Sequence, residues 1–197
     1  MNNILLCGVG GQGTVLASKL IAFAAMEKGL QVRTAETIGM AQRGGSVVSH
    51  VRIGSEIHSP LLAKRTADVL IAFEPAEAVR CISYLKQDGT VIVNRKAVRP
   101  VTASLQGTYA DGSEMLDYLQ EQAESVTILD GEAICDACGS SKVLNIVLLA
   151  AAAQSGGLNI TPEELKSAIR KRLPQQFHAL NLRAVDMTLQ SLAENNE

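Results

Sequence analysis

The stretch that most restricts what this chain can fold into is CGVGGQG, residues 7–13. The apolar run NILLC precedes it, and TVLASKLIAFAAMEK follows, with Val15, Leu16, Leu20, Ile21 and Ala24 at helical spacing. Gly29 closes that helix, and LQVRTAE (30–36) supplies a second strand. Strand, glycine-rich turn, helix and strand make one βαβ unit, and such a crossover requires parallel strands.

Gly8, Gly10 and Gly13 fit G-x-G-x-x-G in the setting that pattern needs, with a strand before and a helix after. The glycines permit a tight turn and close approach of a ligand, and the first amides of the helix then face a phosphate. Glu36, 23 residues beyond Gly13, falls at the end of the second strand, where an acid binds the ribose of a dinucleotide. Three readings stay open: a dinucleotide, another phosphate ligand, or glycines that only let helix and strand pack closely. Gly11 and Gln12 leave the loop bare and polar, and after Glu36 the chain enters a second glycine-rich loop instead of a helix. Both features run against a nicotinamide nucleotide.

The 197 residues fit a single domain, 1–197. Hydrophobic residues make up 47% but aromatics only 3%, with no Trp, so the core must come from Ala, Val, Ile and Leu. That composition suits helices packed on a sheet and excludes a nucleic-acid module that stacks bases on aromatic rings. A net charge of −2 gives no general pull toward nucleic acid or membranes. The start MNNILLCGVG lacks the basic region of a signal peptide. No charge-free apolar run reaches the roughly 20 residues of a membrane span. The longest apolar run, VLNIVLLAAAA (143–153), reads as a buried helix, and Cys7, Cys81, Cys135 and Cys138 read as free thiols of a reduced, cytoplasmic protein.

Further along, 37–45 reads as a loop, 46–54 as a strand with one more polar face, and 54–58 as a strand turning back in a hairpin. The 46–54 strand has no helix before it, so it runs antiparallel to the 30–36 strand or is not its neighbour. Residues 67–73, 88–94 and 125–130 read as strands, 88–94 opening with a turn, and 95–103 as extended chain. Helices are expected over 75–85, 113–124, 132–155, 162–172 and 176–194. Thr161, Pro162 and Glu164 form a strong helix start, and Asp111 or Ser113 is the expected cap of the 113–124 helix. The fold class that results is a three-layer α/β/α, Rossmann-like domain with a mixed, mainly parallel sheet and a helical C-terminal third.

The second loop carries a pattern of its own: Glu36, Gly39, Gln42, Arg43, Gly44, Gly45, Ser49 and Arg52. If the first two strands are adjacent, this loop starts at the same sheet edge as the glycine turn, where open α/β sheets bind ligands. Arg43 beside two glycines suits a phosphate or carboxylate through its bidentate fork. The alternative is that it pairs with Glu36 and pins the loop.

GVGGQG (8–13) together with ETIGMAQRGGSVVSHVRIG (36–54) resembles the gamma-type domain of 2-oxoacid:ferredoxin oxidoreductases. Length and helical tail are most similar to the small, or beta, subunit of indolepyruvate:ferredoxin oxidoreductases. The resemblance implies oxidative decarboxylation of a 2-oxoacid, an aryl pyruvate, to acyl-CoA, with electrons passed to ferredoxin. Thiamine diphosphate, Mg and iron–sulfur clusters are then expected in a large alpha subunit, and coenzyme A is the one cofactor this chain helps to bind. Carried over onto this sequence, Gly8, Gly10, Gly11, Gln12 and Gly13 form the candidate phosphate cradle. Glu36, Gly39, Gln42, Arg43, Gly44, Gly45 and Ser49 form a loop facing the partner's active site. Cys7 stands where an aliphatic residue or glycine is expected. In keeping with the division of labour, the chain has no C-x₂-C-x₂-C-x₃-C run and no Gly-Asp-Gly stretch leading to an Asn-Asn pair.

Cys135 and Cys138 form C-x-x-C, which serves as a redox pair or half a zinc site elsewhere. No second pair or histidine cluster accompanies it here. RKAVR (95–99) and Lys64–Arg65 are basic clusters, read either as solvated surface or as receivers of coenzyme phosphates or an acidic partner patch. Two alternatives to the subunit reading remain: a self-sufficient NAD- or FAD-dependent dehydrogenase using Gly8, Gly10, Gly13 and Glu36, and a purely structural docking subunit.

Overall fold

A computed structural model describes residues 1–38, 45–98 and 112–194 of the chain. In chain order the elements are β1 (Asn2–Val9), α1 (Thr14–Glu27), β2 (Val32–Ile38), β3 (Ser46–Ile53), β4 (Ala67–Ala72), α2 (Pro75–Cys81) and β5 (Leu85–Asn94). Then follow α3 (Ser113–Gln122), β6 (Ser125–Leu129), α4 (Gly131–Cys138), α5 (Leu144–Gln154), α6 (Pro162–Arg172) and α7 (His178–Glu194). The strands form one six-stranded sheet in the order β2-β3-β1-β4-β5-β6. β1, β4, β5 and β6 run parallel, and β3 is antiparallel to both of its neighbours.

The layers follow from burial. β1 and β4 are apolar almost throughout because helices cover both of their faces. One face packs Leu6, Val51, Ile71 and Ile92 against α1 and α5. The other packs Leu5, Leu70, Val91 and Val93 against Ala78 of α2 and Leu119 of α3. α5 is apolar around its whole circumference and has residues 145–153 buried, as a central helix between the sheet and α7 must. The three-layer class with a mixed, mainly parallel sheet stands.

Several local expectations change. β1 and β2 are parallel but not adjacent, because β3 occupies the slot between them. Antiparallel pairing of β2 with β3 is found. The strand expected at 54–58 is not found: residues 54–60 are irregular, with Glu56 at φ 60°. α2 stops at Cys81, a 3-10 turn covers Ile82–Tyr84, and β5 begins at Leu85. The expected turn at 88–90 is an irregularity inside that strand: Leu85 pairs with Ala67, and pairing resumes only at Thr90 opposite Val69. The 132–155 helix is two helices, broken where Gly139 adopts φ 82°. Gly112, at φ 97°, takes the cap position of α3, so Ser113 begins the helix and Asp111 lies outside the described residues. The 162–172 helix starts as expected, with reciprocal Thr161 and Glu164 bonds.

Candidate functional site

The carboxyl edge of the sheet gathers the end of β1, the start of β3, the β4–α2 corner and the end of β5. The glycine turn sits at its centre, held from inside. The Gln12 side chain accepts from the Val9 amide (2.7 Å) and donates to the Phe73 carbonyl (3.2 Å), which also receives the Asn94 amide at 3.4 Å. Gly8 has to be glycine for this arrangement, since a Cβ would lie 2.7 Å from Gln12 Oε1 and 2.8 Å from Phe73 Cβ. Gly13, at φ 88°, begins α1 without a side-chain cap, and a Cβ there would meet the buried Asn145 amide at 3.1 Å.

The second motif meets the first through the backbone. The Gly10 amide donates to the Gly45 carbonyl at 2.9 Å. Glu36 and Ser49 are ladder partners in β2 and β3, and Ser49 pairs with Leu6 on its other side. Glu36 accepts a long bond from Ser18 of α1 (3.4 Å), while the Ser49 hydroxyl is wholly buried with no partner among the described residues. Gly39, Gln42, Arg43 and Gly44 lie outside the described residues. Arg52 belongs to the far end of β3, donating to Asn3 (3.0 Å) and the Ser59 carbonyl (2.9 Å).

This geometry separates the ligand readings. With β3 in between, Glu36 stands two strand spacings from β1, about 9–10 Å, and not beside it as a ribose-binding acid stands in a βαβ nucleotide fold. The Gly10 amide is already taken by Gly45. Among the described residues, what stays open to an anion is the outer side of the turn: exposed Gly11, where an added Cβ would meet nothing within 4 Å, and the first amides of α1, which have no partner within the helix.

Two buried acids that the sequence reading passed over fasten the loops around this edge. Glu74 caps α2 by accepting from the Glu77 amide (2.9 Å) and also accepts from the Val98 amide (3.2 Å). Glu77 accepts from the Ser46 hydroxyl (2.5 Å) and pairs with Arg80. Glu followed by Pro75 and by Glu77 was a usable signal of a helix start. At the ends of β5 and β6, Arg95, Lys96, Ser113, Asp117 and Asp130 line a depression of about 510 Å³, with Lys96 paired to Glu132. Lys64 and Arg65 lie at the other end of the sheet, in a depression of about 610 Å³ beside Tyr118, so the two basic clusters do not converge.

The thiols split into two groups on opposite faces of the sheet. Cys7 and Cys81 touch between β1 and α2; burial, then the hydrogen bond that Cys7 donates to Cys81, pushes Cys7 well up, and the same bond lowers Cys81. Cys135 and Cys138 are buried under α7, with Cys138 Sγ 3.4 Å from Met187 Sδ. Burial raises both, Cys135 to about 11, the opposite of an activated redox pair. Iron–sulfur ligation does not fit this arrangement. Among the described residues no three His, Cys, Asp or Glu side chains gather closely enough to hold a metal ion. No helix among them is long and apolar enough to cross a membrane.

Comparison with known proteins agrees with the fold. The family model described as pyruvate ferredoxin/flavodoxin oxidoreductase matches residues 3–191. The indolepyruvate oxidoreductase subunit IorB of Thermococcus kodakarensis is 35% identical over 98% of this chain and 96% of its own. The common subunit gamma of the pyruvate/ketoisovalerate oxidoreductases of Pyrococcus furiosus is 27% identical over 90% of this chain and 89% of its own. The crystal structure of a keto/oxoacid ferredoxin oxidoreductase gamma subunit from Geobacter sulfurreducens superposes with a TM-score of 0.70 at 24% identity, covering 98% of this chain and 99% of that one.

Proposed function

The chain belongs to the pyruvate ferredoxin/flavodoxin oxidoreductase family, and from that premise we propose that it is the non-thiamine subunit of a cytoplasmic 2-oxoacid:ferredoxin oxidoreductase acting on an aryl pyruvate such as indolepyruvate. In this reading a large alpha subunit carries thiamine diphosphate, Mg and the iron–sulfur clusters and passes electrons to ferredoxin. One observation carries the choice of substrate: identity to the indolepyruvate oxidoreductase subunit, 35%, exceeds identity to the pyruvate/ketoisovalerate gamma subunit, 27%, at similar coverage.

For coenzyme A, the reading uses Gly11 and the first amides of α1 as the phosphate contacts, and Arg43, outside the described residues, as the candidate cation. Gln12 supports this from beneath, because both ends of its amide are used inside the protein. The same observation favours a second reading, in which the turn docks the partner and touches no coenzyme.

A tagged copy purified from its native cell tests both. The expected result is a large thiamine- and iron-containing partner and CoA-dependent dye reduction, at least tenfold faster with indolepyruvate than with pyruvate or 2-oxoisovalerate. Arg43→Gln then lowers turnover and raises the KM for coenzyme A while the complex survives; loss of the complex instead supports the docking reading. Faster turnover of pyruvate overturns the substrate assignment. A lone chain carrying NAD or FAD overturns the subunit assignment.

A further inference from the structure

The two edges of the sheet are built differently. β2, at one edge, carries Arg33 and Glu36, and charged side chains are a usual guard against edge-to-edge pairing. β6, at the other edge, reads Ser-Val-Thr-Ile-Leu, with no charge, no proline and three β-branched residues in five. Its open side forms the floor of a depression of about 550 Å³, bounded by Ser191 and Leu192 of α7, with Arg95 at the end where Asp130 stands.

Which backbone groups face outward follows from one bond. The Arg95 amide donates to the Leu129 carbonyl at 2.8 Å. Backbone groups alternate sides along a parallel ladder, so Ser125, Thr127 and Leu129 turn toward β5, and Val126 and Ile128 present their N–H and C=O to the open side.

We propose that the β6 edge is a self-pairing surface, on which a second copy of this chain adds its own β6 antiparallel about Thr127 and extends the two sheets into one. The occupant is argued from self-complementarity. In this register Val126 lies opposite Ile128 of the second copy and Ile128 opposite its Val126, and all four residues carry outward groups, so each open N–H meets an open C=O. The facing side chains are β-branched pairs on the α3 face, and Thr127 meets its own copy at the two-fold axis, both favourable cross-strand pairs. At each end Glu124 of one copy approaches Asp130 and Arg95 of the other. The Asp130 carboxylate is engaged as the cap of α4, accepting from the Ala133 amide at 3.0 Å. That leaves the Arg95 guanidinium to receive Glu124. The interface is isologous and closes on itself.

Sedimentation velocity of the full chain at rising concentration, backed by circular dichroism, tests this without reference to activity. The expected result is a concentration-dependent dimer. Val126→Pro removes an outward donor without touching the β5–β6 ladder, so it should weaken the dimer at least tenfold with an unchanged spectrum. Arg95→Glu should weaken it similarly, and the double variant Arg95→Glu/Glu124→Arg should restore it. A monomer at every concentration overturns the proposal. So does a dimer that neither variant affects, or a β6 edge that gains amide-exchange protection only when a different protein is added.

Discussion

Replacing Gln12 by alanine isolates the part of the glycine turn that is held from inside. The side chain contributes two hydrogen bonds, from the Val9 amide at 2.7 Å and to the Phe73 carbonyl at 3.2 Å. Phe73 keeps the Asn94 amide at 3.4 Å, so its carbonyl is not abandoned. Val9 loses the acceptor that Gln12 gave it, and a buried donor left unmatched costs about 1–3 kcal/mol. Partial exposure of the turn places the total at about 2 kcal/mol. For a chain of this length 1 kcal/mol lowers the melting point by about 2–4 °C, so Gln12→Ala should melt roughly 4–8 °C below the parent. Gln12→Glu keeps an acceptor for Val9 but sets a carboxylate oxygen against the Phe73 carbonyl in place of the donor, so at neutral pH its loss should be at least as large. Urea midpoints followed by circular dichroism at neutral pH measure both. If Gln12→Ala unfolds at the parent midpoint while CoA-dependent turnover collapses, the side chain serves a ligand and the inward reading of the turn is wrong.

Three further outcomes follow from the same structure. Gly8→Ala places a Cβ 2.8 Å from Phe73 Cβ, and this overpacking should cost about 1–3 kcal/mol, read as a lower urea midpoint with an unchanged slope. Cys135 and Cys138, both raised by burial, should alkylate much more slowly in the native protein at pH 8 than in urea; rapid native labelling in mass spectra would contradict their placement. Burial lowers the His50 pKa from 6.5, so the unfolded chain binds the proton more readily. The native state therefore keeps its full stability above about pH 6.5 and loses some as pH falls from there toward the folded value. His50→Gln should flatten that part of the stability curve, measured as urea midpoints between pH 5 and 8.

The strands of this protein were legible where apolar runs ended in glycine or asparagine, as in NILLCG and VIVN. α6 was legible from Thr161, Pro162 and Glu164 alone, because its capping is entirely local. The order of strands was not legible, since the placing of β3 between β1 and β2 depends on pairings such as Asn2 with Ile53, which no local pattern encodes. The break at Gly139 was missed because apolar spacing runs through it without interruption. At the site, the glycines were visible in sequence but the direction of Gln12 was not: a polar residue in a bare loop reads as ligand-facing until Phe73 is seen beneath it. The bond from Val98 to Glu74 and the packing of Asn145 beneath Gly13 went unnoticed for the same reason, since each joins residues distant in sequence.

The insertion of β3 also dictates an order of assembly. β2 and β3 are near neighbours along the chain and can zip together locally, whereas β1 must wait for a strand that starts well beyond β2, pairing Asn2 with Ile53 and Val9 with Ser46. Local pairings form faster than those that close long loops. The Gly10–Gly45 bond that completes the turn is therefore made when the preformed β2–β3 hairpin docks onto β1. A chain caught before that step can carry its hairpin and helices while the turn at Gly8–Gly13 is still unmade, so the candidate site is acquired late in folding, with the closing of the sheet.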